Sequence, residues 1–381
     1  MYIPIHKIAK IFWIKKELGE IYLSKMIECF AISMIGIFIP VYLLKIGFPL
    51  YLAIAFMSFT WLITFILSPV SGKVSSIAGF RHTILYRAPI FIIFLLLLIV
   101  IEFIPSLFLV ALIGGVSLSL YWIPLYAEFV RNTDAIHEGE EVGNLIALPY
   151  VAAILAPTIA AIILESLGFP VLFTIAIVLV FLSVVPLFLS SDYKEKAFRL
   201  KGFRFFISRR FSLYFFLKGM ILAGEFLVWS IFIFLKFGVL ILGIAASLSG
   251  VGMIILTMLF GRLSNRRGRR KGMIKLGGIF YAVIWIARVF VSTPFEAFIL
   301  SFLGGLLMAF ISIPIFSLFC DFAREKGILD SVVFREMWIN LGRFIPTLLI
   351  VIILTFTSYP QIFELFFIAA GISSLLFLVV R

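Results

Sequence analysis

Apolar runs about as long as a bilayer is thick recur from one end of this 381-residue chain to the other. "PIFIIFLLLLIVIEFI" (89–104) is one of them. A helix rises about 1.5 Å per residue, so about 20 such residues cross a hydrocarbon core of about 30 Å. Lipid offers no partner for a free backbone N–H or C=O, which leaves only helices and closed barrels as spanning structures. Barrel strands would alternate apolar and polar residues over about ten positions, and these runs do not. With 63% hydrophobic residues and 45 Phe, the chain also lies outside the composition of soluble domains, where roughly half the residues are apolar. The expected class is an all-α polytopic membrane protein.

Turn residues and charges divide the chain into twelve expected spans. They fall near 19–44, 49–71, 83–103, 106–130, 142–166, 170–189, 211–236, 240–262, 272–292, 295–320, 332–357 and 361–380. Short Gly/Pro connections, such as "KIGFP" (45–49), alternate with longer charged ones. An N-terminus in the cytoplasm places most of the 32 Lys and Arg on the cytoplasmic side, with Lys45 and Lys236 outside. Both termini are therefore expected in the cytoplasm. The first twenty residues read as a retained interfacial segment rather than a signal peptide. The net charge of +13 fits the positive-inside rule together with attraction to anionic lipid headgroups, and needs no nucleic acid.

"GRLSNRRGRRKG" (261–272) holds the densest basic run. It repeats an earlier stretch, "GKVSSIAGFRH" (72–82): Gly72 maps on Gly261, Gly79 on Gly268 and Arg81 on Arg270, at an offset of 189. "IPLYAEF" (123–129) returns as "IPIFSLF" (313–319) at an offset of 190. A constant offset over separate motifs points to a duplicated six-helix unit. The division expected is a first half over 1–190, an interfacial linker over 191–210 and a second half over 211–381.

These motifs resemble the major facilitator superfamily of secondary transporters. Its loop signature, Gly-x-x-x-Asp-Arg-x-Gly-Arg-Arg, is matched by Gly261, Arg266, Gly268, Arg269 and Arg270, with Asn265 at the acidic position. The first copy departs further, with Ser76 there and Ile77 at the following basic position. "AAILAPTIAA" (152–161) is similar to the helix-five signature of the drug–proton antiporter branch. Ala152, Ala156, Ala160 and Ala161 stand for its glycines, and Pro157 is kept. The resemblance implies two pseudo-symmetric six-helix bundles that rock about a central cavity lined by helices one, four, seven and ten. It also implies that the loop after span eight closes on the start of span five. Arg266, Arg269 and Arg270 would then meet Glu138, Glu140 and Glu141 as a cytoplasmic gate.

An ionisable residue inside a span costs about 2.5–3.5 kcal/mol at mid-membrane and needs a reason. Glu225 sits mid-span with Trp229 one turn on, and is the candidate for the coupling proton; a hydrogen-bonded packing role is the alternative. The repeat brings Glu28 level with Lys218, so the two could pair across the halves; Lys25, three residues from Glu28, is its other candidate partner. Glu336, Asn340 and Arg343 form one polar stripe of span eleven, facing protein or water, with Arg335 expected to snorkel to the cytoplasmic face. Glu128, Trp122 and Tyr126 are placed on the cavity floor. Arg87 and Arg288 are expected as anchors at the interfaces.

The sequence shows no nucleophile–base set and no phosphate-binding loop. Cys29 and Cys320 fall within spans and the three His lie in loops or flanks, so no metal or other cofactor is expected. The function expected is secondary active transport of a small amphipathic or hydrophobic solute by a monomer of the cell membrane. Proton-coupled efflux is favoured, and an uncoupled facilitator or lipid flippase is the alternative.

Overall fold

The computed structural model describes residues 16–101, 104–133, 141–142, 149, 151, 153–188, 198, 205, 207–260, 270–354, 356 and 359–379. Every regular element among them is helical. Numbered in chain order, the rods begin with α1 (Gly19–Lys45), α2 (Leu50–Ala78), α3 (Phe80–Ile99) and α4 (Ile104–Asn132). Next come α5 (Ala156–Ser166), α6 (Phe169–Leu187), α7 (Arg209–Phe237) and α8 (Val239–Phe260). The last are α9 (Arg270–Arg288), α10 (Pro294–Lys326), α11 (Ile328–Ile353) and α12 (Tyr359–Leu375).

Ten of these regions are long and apolar enough to cross a membrane. The others are α5, described over only 11 residues, and α9. The latter carries Arg270, Lys271, Lys275 and Arg288 in 19 residues, which dilutes its apolar character.

Side-chain contacts fix the direction of the rods. Arg81, at the start of α3, reaches Glu20 near the start of α1, Glu128 near the end of α4 and the Leu187 carbonyl at the end of α6. Phe211 at the start of α7 meets Phe322 of α10 at 4.6 Å, and Tyr214 meets Phe377 after α12 at 6.3 Å. All these termini share one end of the bundle, here called the basic end. At the opposite end Tyr42 of α1 donates to the Ile99 carbonyl of α3 (3.1 Å) and packs on Phe169 of α6. Gly79 makes the α2–α3 turn at φ +105°, a conformation that a Cβ would disfavour.

Helices α1–α4 and α6 pack chiefly among themselves, as do α7–α10 and α12, whereas α5 packs mostly on α8 and α11 divides between the sets. The two sets meet along α2 with α11 and along α5 with α8, with further contacts of α4 on α10 and α11. On α2 and α11, Thr347 Oγ1 donates to Ser58 Oγ at 3.0 Å. On α5 and α8, the Thr158 and Ser247 hydroxyls lie 2.8 Å apart. Of the expected linker, Arg209 and Arg210 already belong to α7. Phe198 is buried against the Gly72 position of α2, and Phe205 stacks on Trp338 of α11 at 4.8 Å. These linker residues thus pack on protein, because α2 and α11 leave their aromatic side chains an apolar seat.

Candidate functional site: a cationic cluster between the helix sets

Two buried arginines come first, because they remove several acids from consideration. Arg87 of α3, 1% exposed, stands 2.5 Å from Glu28 Oε1. Its Nε donates to Ser117 Oγ (3.0 Å), and Ser183 Oγ donates to Glu28 Oε2 (2.8 Å). The guanidinium lies over the Phe91 and Tyr121 rings at 4.1 and 4.9 Å. Glu28 therefore serves its own half and does not pair with Lys218.

The second set repeats the arrangement with different residues. Arg288 of α9, 0% exposed, donates to Glu225 Oε2 at 2.9 Å, and Tyr281 Oη donates to Oε1 at 2.6 Å. The guanidinium lies over the Trp285 and Trp229 rings at 4.1 and 4.5 Å, and Trp229 Nε1 donates to Ser301 Oγ. Gly304 of α10 makes the room: a Cβ there would stand 2.6 Å from Arg288 Nη2. Glu225 lies in a π-helical stretch, Gly224–Trp229, a geometry that widens the turn. Glu225 and Trp229 are thus turned toward α9 and α10, not into the space between the sets. Arg87 and Arg288 are not interface anchors either. An arginine this deep needs a carboxylate, and the first helix of each set supplies it.

At the basic end Glu128 is likewise taken, by Arg81 Nε at 2.7 Å, and so is not part of a cavity floor. Arg270, the repeat partner of Arg81, donates to Asp321 of α10 at 3.1 Å. Arg324, one turn on, crosses to the other set and donates to the Thr133 carbonyl after α4 at 3.0 Å. The Glu141 carbonyl accepts from Tyr22 Oη at 3.2 Å. Gly72 faces Val333 of α11. Gly261, Asn265, Arg266, Gly268, Arg269, Glu138, Glu140 and Ala152 lie outside the described residues. In α5, Ala156, Pro157, Ala160 and Ala161 are buried, and the Gly243 position of α8 faces Ala161 and the Pro157 carbonyl.

What is left between the sets is a group of cations with one acid, Glu336, beside them. Arg335 of α11, 3% exposed, pairs with Glu336 and lies over the Tyr126 ring at 4.1 Å and the Phe316 ring at 4.9 Å. It does not snorkel; the rings of α4 and α10 hold it inside. Lys25 of α1 stands over the same Tyr126 ring at 5.6 Å. Lys218 of α7 is within electrostatic reach of Arg335, Glu336, Arg343 and Lys25, and makes no hydrogen bond or ion pair with a described residue. Arg343 donates to Asn340 Oδ1 (3.3 Å) and lies over the Trp61 ring of α2 at 5.9 Å. Asn340 in turn donates to the Glu336 carbonyl, so the expected polar stripe is a connected chain. Trp122 stacks on Tyr126 at 5.6 Å.

Lys218 and Arg343 thus stand beside the Arg335–Glu336 pair, with Lys25 over the Tyr126 ring, and no arginine outside the cluster holds Glu336. The sequence signalled each charge but not the grouping, which joins α1, α4, α7 and α11. Among the described residues no three His, Cys, Asp or Glu come together as a metal site.

Among solved structures, the human organic anion transporter MFSD10 (TETRAN) matches with a TM-score of 0.75. The match covers 96% of this chain and 99% of that one. This is the major facilitator fold. At 13% identity the likeness is one of fold, and the multi-pass helical architecture is shared with a transporter. No protein-family profile matches the chain, and no curated protein does. Within the major facilitator fold of this chain, the cationic cluster lies where the two helix sets face each other.

Proposed function

We propose that the chain is a secondary transporter that carries an organic anion by alternating access. The observation that carries this reading is that, beside the Arg335–Glu336 pair, Lys218 has no hydrogen bond or ion pair with a described residue and Arg343 donates only to the Asn340 amide oxygen. Buried cations without counter-charge are costly, and a solute anion is the counter-charge this place is suited to receive. Tyr126, Trp122, Trp61 and Phe316 supply apolar and cation–π surface beside it, which favours an amphipathic anion. The solved relative named above is an organic anion transporter, which agrees with this choice.

Proton coupling is part of the proposal. Glu336 replaces Glu225 as the group to carry it: Glu336 pairs with Arg335 between the helix sets, whereas Glu225 is held by Arg288 and Tyr281 within one set. Twelve spans with both termini in the cytoplasm, a cell-membrane location and exchange of solute for protons complete the reading. The experiment uses the purified full chain in proteoliposomes and radiolabelled benzoate. Saturable uptake that a pH gradient drives, and that Arg335→Gln abolishes, is the expected result. Flux no greater than in protein-free vesicles, for benzoate and a panel of larger aromatic anions, would overturn it.

A further inference from the structure

We propose that Lys218 and Arg343 grip one carboxylate between them, and that the solute is an organic acid with a single anionic headgroup and an apolar body. This deepens the anion reading above and rests on it. Two glycines set the geometry. A Cβ at Gly219 of α7 would stand 2.1 Å from the Ile339 carbonyl, and one at Gly342 of α11 would stand 2.1 Å from the Phe216 carbonyl. The backbones of the two helices therefore touch at this point. Both helices start at the basic end and run outward in parallel. Each residue of a helix turns about 100° from the last. In two parallel helices, the residue before one contact and the residue after the other then fall on the same side. Those residues are Lys218 and Arg343, nearly level with each other and within electrostatic reach.

Both side chains are partly exposed, whereas Arg87, Arg288 and Arg335 are sealed in protein, so the two open on the space between the sets. Lys218 makes no hydrogen bond or ion pair with a described residue, and Arg343 gives only Nη1 to Asn340 Oδ1. The rest of the guanidinium fork matches the two oxygens of a carboxylate, and the lysine ammonium adds a point charge beside it. Arg335 is not offered to the solute, being spent on Glu336 and on the Tyr126 and Phe316 rings. Toward the basic end stands Glu336, within electrostatic reach of both cations, and its charge repels a second carboxylate there. Toward the outer end the lining is apolar. Lys25 stands over Tyr126, which puts Cys29 and Trp122 together one turn further out on α1 and α4. Leu222 follows Lys218 by one turn on α7, and all three are partly buried apolar side chains. They give the solute's body an apolar seat, in which a second carboxylate would be desolvated without a partner.

The test compares three rigid probes of one shape: 2-naphthoate, neutral 2-naphthamide and 2,6-naphthalenedicarboxylate. Their affinities for the purified full-length protein are measured by equilibrium dialysis at neutral pH. The monocarboxylate is expected to bind at least tenfold tighter than either of the others. Lys218→Met and Arg343→Gln should each bring the naphthoate-to-naphthamide ratio close to one, and Lys218→Arg and Arg343→Lys should keep part of it. Because the two ligands share one body, a loss of fold lowers both affinities and a loss of the clamp lowers their ratio. A dicarboxylate that binds as tightly as naphthoate overturns the single-headgroup inference and leaves the anion reading standing. Anions that bind no better than the amide overturn both. A ratio that survives either substitution, in a variant with an unchanged melting profile, removes that residue and with it the clamp. The comparison of the three probes needs no variant, so a failure of a variant to fold does not shield the proposal.

Discussion

Tyr126 and Phe316 hold the same place in the two copies of the repeat, and their rings touch at 5.3 Å. Residues related by an internal two-fold can meet only beside its axis. The pair therefore marks where α4 and α10 close on each other, with Phe129 stacked on Phe316 at 5.8 Å. Aromatic pairs contribute about 0.5–1.5 kcal/mol beyond their area. Tyr126→Leu and Phe316→Leu should each lower the melting temperature of the detergent-solubilised protein, and together less than additively. Strict additivity would mean that the rings do not stabilise one another.

At the basic end Arg324 makes a contact between the sets, to a backbone carbonyl that mutation of Thr133 cannot remove. A charge-assisted hydrogen bond contributes about 1.5–3 kcal/mol. Arg324 is a quarter exposed, so about 1 kcal/mol is a fairer figure, or about fivefold in the balance of states. Arg324→Gln should increase the population opened at the basic end. Spin-label distances between Asn132 and Glu325, with Cys29 and Cys320 replaced, would show it. Unchanged distance distributions would refute the latch.

Glu225→Gln leaves Arg288 buried without a full counter-charge, and breaking such a pair costs about 3–5 kcal/mol. A large fall in melting temperature is expected, whereas Tyr281→Phe, which removes one hydrogen bond, should cost about 1–2 kcal/mol. Replacing the pair together, Glu225→Leu with Arg288→Met, should be milder than Glu225→Gln alone. If the pair replacement is the worst of the three, the charges do more than satisfy each other.

Gly219 of α7 and Gly342 of α11 press on each other's helices, with Ile339 and Phe216 carbonyls where a Cβ would stand. Gly219→Ala should destabilise by at least the 1–3 kcal/mol usual for overpacking. Gly272 offers the control, since nothing lies within 4 Å of a Cβ built there. Gly272→Ala sits in a helix and should be neutral or stabilising by up to about 1 kcal/mol. Thermal unfolding of both variants tests the contrast.

The helical class and most span positions were legible because lipid imposes them. Spanning segments must be long, apolar and internally hydrogen-bonded, and a duplicated unit leaves a fixed offset between Arg81 and Arg270 or Tyr126 and Phe316. The pairing of charges was not legible. Span position gives a residue's depth but not the direction of its side chain about the helix axis, and each full turn offers several neighbours. Glu28 and Lys218 are level in the repeat, yet Glu28 turns to Arg87 because that guanidinium, sealed among α1, α3, α4 and α6, needs it more. Glu225 turns to Arg288 for the same reason, with Gly304 giving the space. Only the packed structure shows which carboxylates are consumed in this way. It thereby leaves Lys218 and Arg343, beside the Arg335–Glu336 pair, as cations with no ion-pair partner among the described residues.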